Sequence, residues 1–350
     1  MGLRGQWKKQ KTEQKTGQAN KFINSNQIRE NSQVEKNPFG NKKDGLKDGS
    51  NLYKGREQEL CYIDFRACDL RKARGHSFGN AINQLRLYSE KPAKKIFLMG
   101  DLHIPYHDKK ALLTALLYAV QEVKPDWLVI LGDLLDFKGM SSYLKDIRER
   151  DLTKELIESA EILKTITELF AGVEKIIYIE GNHEERLYSY IYKNAPELSG
   201  IFKNPLSLFK TIQSELGHEI FNDKIKYHTP RESAQPYYPL VGRRLLAIHG
   251  HEYHKGSKYG VINVARNILE KAKKSIIFGH WHITQEYTST AIDRDLRSAW
   301  AVGCLSNLTP DWNPLNQWNH GFAIVYVYAD GFFTVLNKKI INKGERLVIV

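Results

Sequence analysis

Three short apolar runs in this chain, "KKIFLMGD", "DWLVILGD" and "KIIYIEGN", each run into a glycine followed by Asp or Asn. Between the first two lies "KKALLTALLYAVQEV", with Leu112, Leu113, Leu116, Leu117 and Val120 at helical spacing. Between the second and third lies "DLTKELIESAEILKTITELF", amphipathic through Leu152, Leu156, Ile157, Ala160, Leu163 and Ile166. Runs this short and apolar read as buried strands. Strand–helix–strand–helix–strand dictates a parallel sheet joined by right-handed crossovers. "RRLLAIHG" and "SIIFGH" read as two more strands with the same kind of ending. "RSAWAVGCL", "GFAIVYVY", "GFFTVLNKKI" and "RLVIV" predict antiparallel strands that complete a second sheet.

A length of 350 residues suits one large domain or two modest ones, enough to bury a core without disulfides. Cys61, Cys68 and Cys304 fit no metal or redox motif and point to a reducing compartment. Net charge is +12, and residues 1–50 alone carry 11 Lys/Arg against 5 Asp/Glu. Residues 1–58 are rich in Lys, Asn, Gln, Gly and Ser, a composition that predicts a mostly disordered basic tail. Such a tail is either a handle for nucleic acid or another polyanion, or a solvated arm that aids solubility. Residues 59–92 read as an ambiguous extension, with "ELCYIDF" as a strand and "AINQLRLY" as a short docked helix, before a main domain over 93–350. No secretory apolar segment opens the sequence, Gln6 breaks a myristoylation motif, and no stretch is long and apolar enough to span a bilayer. The expectation is a soluble cytoplasmic protein with no membrane partner.

The strand endings "GDLH", "GDLLD", "GNHE", "HGH" and "GHWH" carry the chemistry. In α/β sheets ligands gather beyond the carboxyl ends of the strands. Asp101, His103, Asp133, Asn182, His249, His280 and His282 are therefore expected in one crevice. Carboxylates and imidazoles at the edge of an apolar sheet are costly without partners, and a pair of divalent cations supplies them. Asn182 reads as a ligand through its amide oxygen, and His183 as a proton donor beside the ions. Each motif has a plainer reading alone: a turn for Asp101-Leu102-His103, a loop for "HGH", a helix cap for Asp133 with Asp136. Their common position at strand ends makes the joint reading the stronger one. His76, His218, His228 and His320 read as surface or packing residues, and His107 and His254 as rim residues.

These motifs, in this order, resemble those of the calcineurin-like metallophosphoesterase superfamily, which run D-x-H, G-D-x-x-D, G-N-H-[DE], H and G-H-x-H. The resemblance spans roughly residues 95–330. "GDLHIPYHD", "GNHEERL" and "NQWNHGFAIVYV" are similar to phage and bacterial members. It implies a four-layer α/β/β/α sandwich and two divalent metal ions, with Mn, Fe and Zn all compatible with O and N ligands. By the same resemblance one ion takes Asp101, His103, Asp133 and His282, and the other takes Asp133, Asn182, His249 and His280. Asp136 would hold the ring of His183. The implied reaction is attack of a metal-bridging hydroxide on phosphorus, with His183 as general acid. The Ser/Thr protein phosphatases carry "GDxVDRG", whereas this chain has Phe137 and Lys138 after Asp136, which argues against that activity. Arg186 is a candidate phosphate ligand or a helix-surface arginine, and His251 a second candidate substrate contact.

The leading functional expectation is a metal-dependent phosphoester hydrolase acting on a nucleic-acid phosphodiester. Trp281, Trp300, Trp312 and Trp318 either stack bases or pack between the sheets. The alternatives are a phosphomonoesterase or cyclic-nucleotide phosphodiesterase and, against the complete ligand set, a non-catalytic scaffold.

Overall fold

The structure is a computed structural model that describes residues 60–63, 87–141, 151–202, 204–216, 224–253 and 262–350. The tail expected over residues 1–58, most of the helix expected at "AINQLRLY", and His76, His218 and His254 lie outside the described residues. Strand β1 (Leu60–Ile63) pairs antiparallel with β2 (Leu87–Glu90), so the last two residues of "AINQLRLY" begin a strand.

Strands β3 (Lys94–Met99), β4 (Trp127–Ile130), β5 (Lys175–Ile179) and β6 (Ile225–His228) pair parallel in chain order. Their crossovers carry helix α1 (Lys109–Tyr118), helix α2 (Leu152–Leu169), and the pair α3 (Glu184–Asn194) and α4 (Pro205–Leu216). Asp108 and Asp151 cap α1 and α2 by accepting from Ala111 N–H at 2.9 Å and Lys154 N–H at 3.0 Å. The apolar stripe of α1 is narrower than its leucines suggest. Ala111, Leu112, Ala115 and Leu116 are buried, while Leu113 and Leu117 face outward, because only one face of a helix can meet the sheet.

The second sheet has the order β10 (Gln285–Thr290), β11 (Leu296–Ala301), β9 (Ile276–Phe278), β8 (Leu245–Ile248), β7 (Tyr238–Val241). The C-terminal runs divide between the two sheets instead of completing one. Only "RSAWA" joins the second. Strands β12 (His320–Val327), β13 (Phe333–Lys343) and β14 (Arg346–Ile349) extend the first through antiparallel pairing of β12 with β3. Strand β12, buried along all but its last residue, covers the outer edge of β3, and Phe322 on it meets Tyr118 of α1.

Period-2 alternation distributes every central strand between two cores. Phe97, Met99, Leu128, Ile130, Ile176 and Tyr178 face α1–α4. Ile96, Leu98, Val129, Leu131, Ile177 and Ile179 face the second sheet, meeting Leu245, Ala247, Ile277 and Trp300. The other side of the second sheet, with Leu246, Ile248, Ile276 and Phe278, packs on helix α5 (Val264–Ala272). Three cores between four layers make an α/β/β/α sandwich. Strands buried on both faces must read as unbroken apolar runs, which is how β3–β5 appear in the sequence.

Candidate active site

Asp101 and His103 follow β3, Asp133 follows β4, Asn182 and His183 follow β5, His249 follows β8, and His280 and His282 follow β9. Both sheets thus present their carboxyl ends to one place. Five of these residues adopt left-handed backbone: Asp101 (φ 52°), His103 (51°), Asp133 (49°), His280 (69°) and His282 (58°). Such a conformation costs a non-glycine residue roughly 1–2 kcal/mol and is held here by the turns bracing one another. Asp101 N–H donates to Gly132 O (3.1 Å), and His103 N–H to Asp133 O (2.9 Å). Two glycines permit the close approach. A Cβ on Gly181 would lie 2.1 Å from Asp133 Oδ1, and one on Gly279 would lie 2.5 Å from Asp101 Oδ2.

The polar atoms converge on Asp133. Its Oδ2 lies 3.2 Å from His249 Nε2, 3.6 Å from His103 Nε2 and 3.8 Å from His183 Nε2. His249 directs Nδ1 to Leu131 O (2.6 Å), which turns Nε2 toward Asp133 and toward Asn182 Oδ1 at 3.1 Å. His282 Nε2 is 3.3 Å from Asp101 Oδ1 and 3.0 Å from His103 Nε2. Asp101 accepts from His280 N–H through both carboxylate oxygens, at 3.0 and 2.9 Å. Three groups could each hold an ion, with ligand atoms all within 4.8 Å of one another: Asp101, His103 and His282; His103, Asp133 and His183; Asp133, His249 and His280.

The electrostatics suit a cation. Burial opposes ionisation of Asp133, but His183 and His249 outweigh it and hold the carboxyl well below the usual range. Burial likewise opposes a charge on His249, yet Asp133 and Asp101 push it up to about 10. A field that favours a proton on that ring also favours a divalent cation in the proton's place, so ion binding would release protons. His280 is held well below its ordinary value by burial and by His249. The donor set is O and N without thiolate, which fits a borderline or hard divalent ion.

His183 sits at the edge of this cluster. Its Nδ1 is 3.0 Å from Asp136 Oδ1 and 2.8 Å from Asp136 O. The same carboxylate oxygen reaches His103 Nδ1 at 3.1 Å, so Asp136 orients two rings, not the one expected. Arg186 is no surface arginine: Nη2 donates to His183 Nε2 (2.9 Å) and Nη1 to Asp136 O (2.7 Å). His251 contacts Glu185 Oε1 at 3.2 Å. His228 pairs with Ser233, and His320 reaches Ser306 O at 2.9 Å, both apart from the cluster. His107 lies beside Ser306 through an isolated bridge.

Sequence reasoning passed over Glu184, the last residue of "GNHE". It is fully buried and accepts from Gly181 N–H (2.8 Å), Asp133 N–H (2.9 Å), Leu134 N–H (2.9 Å), Leu135 N–H (3.3 Å) and Tyr178 O–H (2.7 Å). One carboxylate therefore fixes the two turns that carry Asp133 and Asn182. Its signal was an acid opening a helix directly after a turn, where free N–H groups gather. Glu155 of α2 does the same for the turn after Asp136 by accepting from Phe137 N–H.

Above the cluster opens a cavity of about 290 Å³ whose lining includes His103, Asp133, Asp136, Asn182, His183, His280 and His282. Lys138, Tyr106, Ser306, Trp312 and Trp318 complete part of its wall. Of the four tryptophans, Trp300 packs between the sheets and Trp281 against the α5 core. Trp318 instead lies on His282 with ring centres 4.1 Å apart, and Trp312 on Trp318 at 5.5 Å.

Two sheets back to back, with carboxylates and imidazoles from five strand ends meeting at one rim, define a phosphoesterase-type fold with a candidate metal centre. Residues 94–284 match the family described as calcineurin-like phosphoesterase, and the chain belongs to that family. It is 25% identical over 193 residues to the Gene 54 protein of Mycobacterium phage D29, covering 54% of this chain and 69% of that protein. It is 23% identical over 194 residues to the Gene 54 protein of Mycobacterium phage L5, with the same coverage of 54% and 69%. Among solved structures it is similar to Vacuolar Protein Sorting 29 from Cryptosporidium parvum, at TM-score 0.36 and 12% identity, over 74% of this chain and 97% of that one. For Chaetomium thermophilum Vps29 the TM-score is 0.34 and the identity 11%, over 74% and 94%. Among the described residues no helix is long and apolar enough to cross a membrane.

Proposed function

We propose that this protein is a metal-dependent phosphoester hydrolase with a dinuclear centre. Asp101, His103, Asp133 and His282 would hold one divalent ion; Asp133, Asn182, His249 and His280 would hold the other. The observation that carries this reading is the approach of three imidazole nitrogens to a single oxygen of Asp133, at 3.2, 3.6 and 3.8 Å, beneath a cavity. Asp133, so surrounded, is the residue that would belong to both ligand sets. Divalent ions bound there, Mn, Fe or Zn, would supply Lewis acidity and a water acidic enough to act as the nucleophile at neutral pH.

The remaining roles belong to the chain. Lys138 lines the cavity and offers positive charge to the phosphoryl oxygens. It does so as a point charge, without the bidentate grip of an arginine. His183 gives a proton from Nε2 to the leaving alkoxide while Asp136 holds Nδ1. In the present geometry Arg186 donates to that Nε2, so the step requires Arg186 to exchange His183 for a phosphoryl oxygen and Nε2 to take up a proton from solvent, which it then passes to the leaving alkoxide. Arg186 is then both a brace on the resting ring and a contact of the bound substrate.

The test is hydrolysis of bis-p-nitrophenyl phosphate and p-nitrophenyl phosphate with Mn²⁺ and with a chelator, alongside calorimetric titration of Mn²⁺. Chelator-sensitive turnover, two ions per chain in the wild type and loss of both in Asp133→Asn are expected. Turnover that survives chelation, or a single ion unaffected by Asp133→Asn, would reject the dinuclear reading.

A further inference from the structure

The cavity has a wall that the cation chemistry does not use. Trp312 is 72% exposed, yet its ring is seated edge-to-face on Trp318, which in turn is seated on His282. Three rings thus lead from a candidate ion ligand to the open rim. Ser306, which also lines the cavity, is only 3% exposed, and its Oγ has no hydrogen-bond partner among the described residues. A buried hydroxyl left without a partner carries a desolvation cost that a ligand could remove. Asn307 and Asp311 add polar groups to the lining, and Lys138 a positive charge. A lipid arm would meet a wall broken by these polar groups. A flat heteroaromatic ring with polar edges and an attached phosphate matches each of them.

We propose that Trp312, backed by Trp318, is a stacking platform for the base of a nucleoside phosphoester, with Ser306 Oγ as a hydrogen-bond partner of the bound nucleoside. The inference rests on the hydrolase reading for the reacting end of the substrate and names the arm that does not react. A volume of about 290 Å³, at the small end of ligand pockets, suits one nucleotide. The exposed outer face of Trp312 leaves room for that nucleotide to be free or to terminate a single strand.

The experiment follows tryptophan fluorescence of the full-length protein on titration with AMP, with ribose 5-phosphate as the base-free control, and with a short single-stranded oligonucleotide. Chelator is present throughout, so the binding signal does not depend on turnover. AMP is expected to bind more tightly than ribose 5-phosphate. Trp312→Ala should weaken AMP binding roughly 5- to 150-fold, the factor that one base–aromatic stack implies, and Trp312→Phe should restore most of it. Ser306→Ala should weaken AMP binding by a smaller factor. A much tighter oligonucleotide would identify a strand end as the source of the nucleotide; equal affinity would identify the free nucleotide. With Mn²⁺, the ratio of kcat/KM for thymidine p-nitrophenyl phosphate over methyl p-nitrophenyl phosphate should fall in Trp312→Ala. Equal affinity for AMP and ribose 5-phosphate, or a Trp312→Ala loss that Phe does not repair, would overturn the platform. A wild type that turns over neither ester while still binding AMP through Trp312 would sink the hydrolase reading and leave the platform standing.

Discussion

At the scale of single residues, His183 and Glu184 sit side by side and do different work. His183 lies in an ion-sized group with His103 and Asp133, and also against Asp136 and Arg186. If it is the general acid, His183→Ala should keep both ions and lose roughly 10²–10⁴ in rate on alkyl esters. The loss should shrink for nitrophenolate leaving groups, which need little protonation. Loss of an ion in calorimetry would make the residue a ligand instead. Glu184→Ala is expected to act on stability. It strands the N–H groups of Gly181, Asp133, Leu134 and Leu135 in the interior. Each buried unpaired group costs about 1–3 kcal/mol, so several kcal/mol should disappear from a urea titration. Glu184→Gln, which keeps an acceptor, should lose less.

At the scale of elements, the strand-end turns and the helix that braces one of them can be tested separately. Gly181→Ala would drive a methyl group into Asp133, whereas a Cβ on Gly172 meets nothing within 4 Å. The first should lower ion stoichiometry and melting temperature together; the second should change neither. Helix α2 carries the pH test. Burial pushes the Glu155 carboxyl up to about 8 from its ordinary 4.5, against the opposing hydrogen bond from Phe137 N–H. Folding therefore favours the protonated acid. That stabilisation is fully present below about pH 4.5 and is lost as pH rises through about 8. Glu155→Gln should flatten this part of the pH profile while keeping the acceptor for Phe137. An unchanged slope across that range would show that Glu155 is ionised in the folded protein.

At the scale of the whole molecule, the proposed ligands come from both sheets, so bound ions would join the layers through their rims as the apolar core joins them through their faces. Ions that bind only the folded chain raise stability by RT ln(1 + [L]/Kd), about 2.7 kcal/mol at a hundredfold excess over Kd. Melting temperature should climb with Mn²⁺ and fall with chelator in the wild type, and respond weakly in Asp133→Asn. Residues 1–58 are expected to be dispensable for folding and for hydrolysis of a small ester, since the core clusters of the described residues begin at Ile96. If those residues are a polyanion handle, their removal should weaken binding to DNA or RNA and flatten its dependence on salt. Equal binding with and without them would reject that role.

The sequence by itself determined three of the four parallel strands, their two crossover helices and the place of seven candidate ligands at strand ends, because each is written locally. An apolar run specifies a strand buried on both faces, a helical stripe specifies its cover, and a Gly-Asp, Gly-Asn or Gly-His ending specifies a turn with a donor at its tip. Much of the rest was decided by partners far along the chain. Glu184 became a clamp only when the turn after β4 came within reach of the helix opening after β5. Arg186 left the helix surface because Asp136 and His183 lay where its guanidinium could reach. The strands after His320 joined the first sheet because β3 offered an open edge beside two apolar cores. Identical-looking tryptophans were separated in the same way: Trp300 faces inward between sheets, whereas Trp312 sits on a loop beside the cavity. A side chain's period along its own strand is fixed by covalent geometry, but the surface it meets is chosen by the packing of layers distant in sequence.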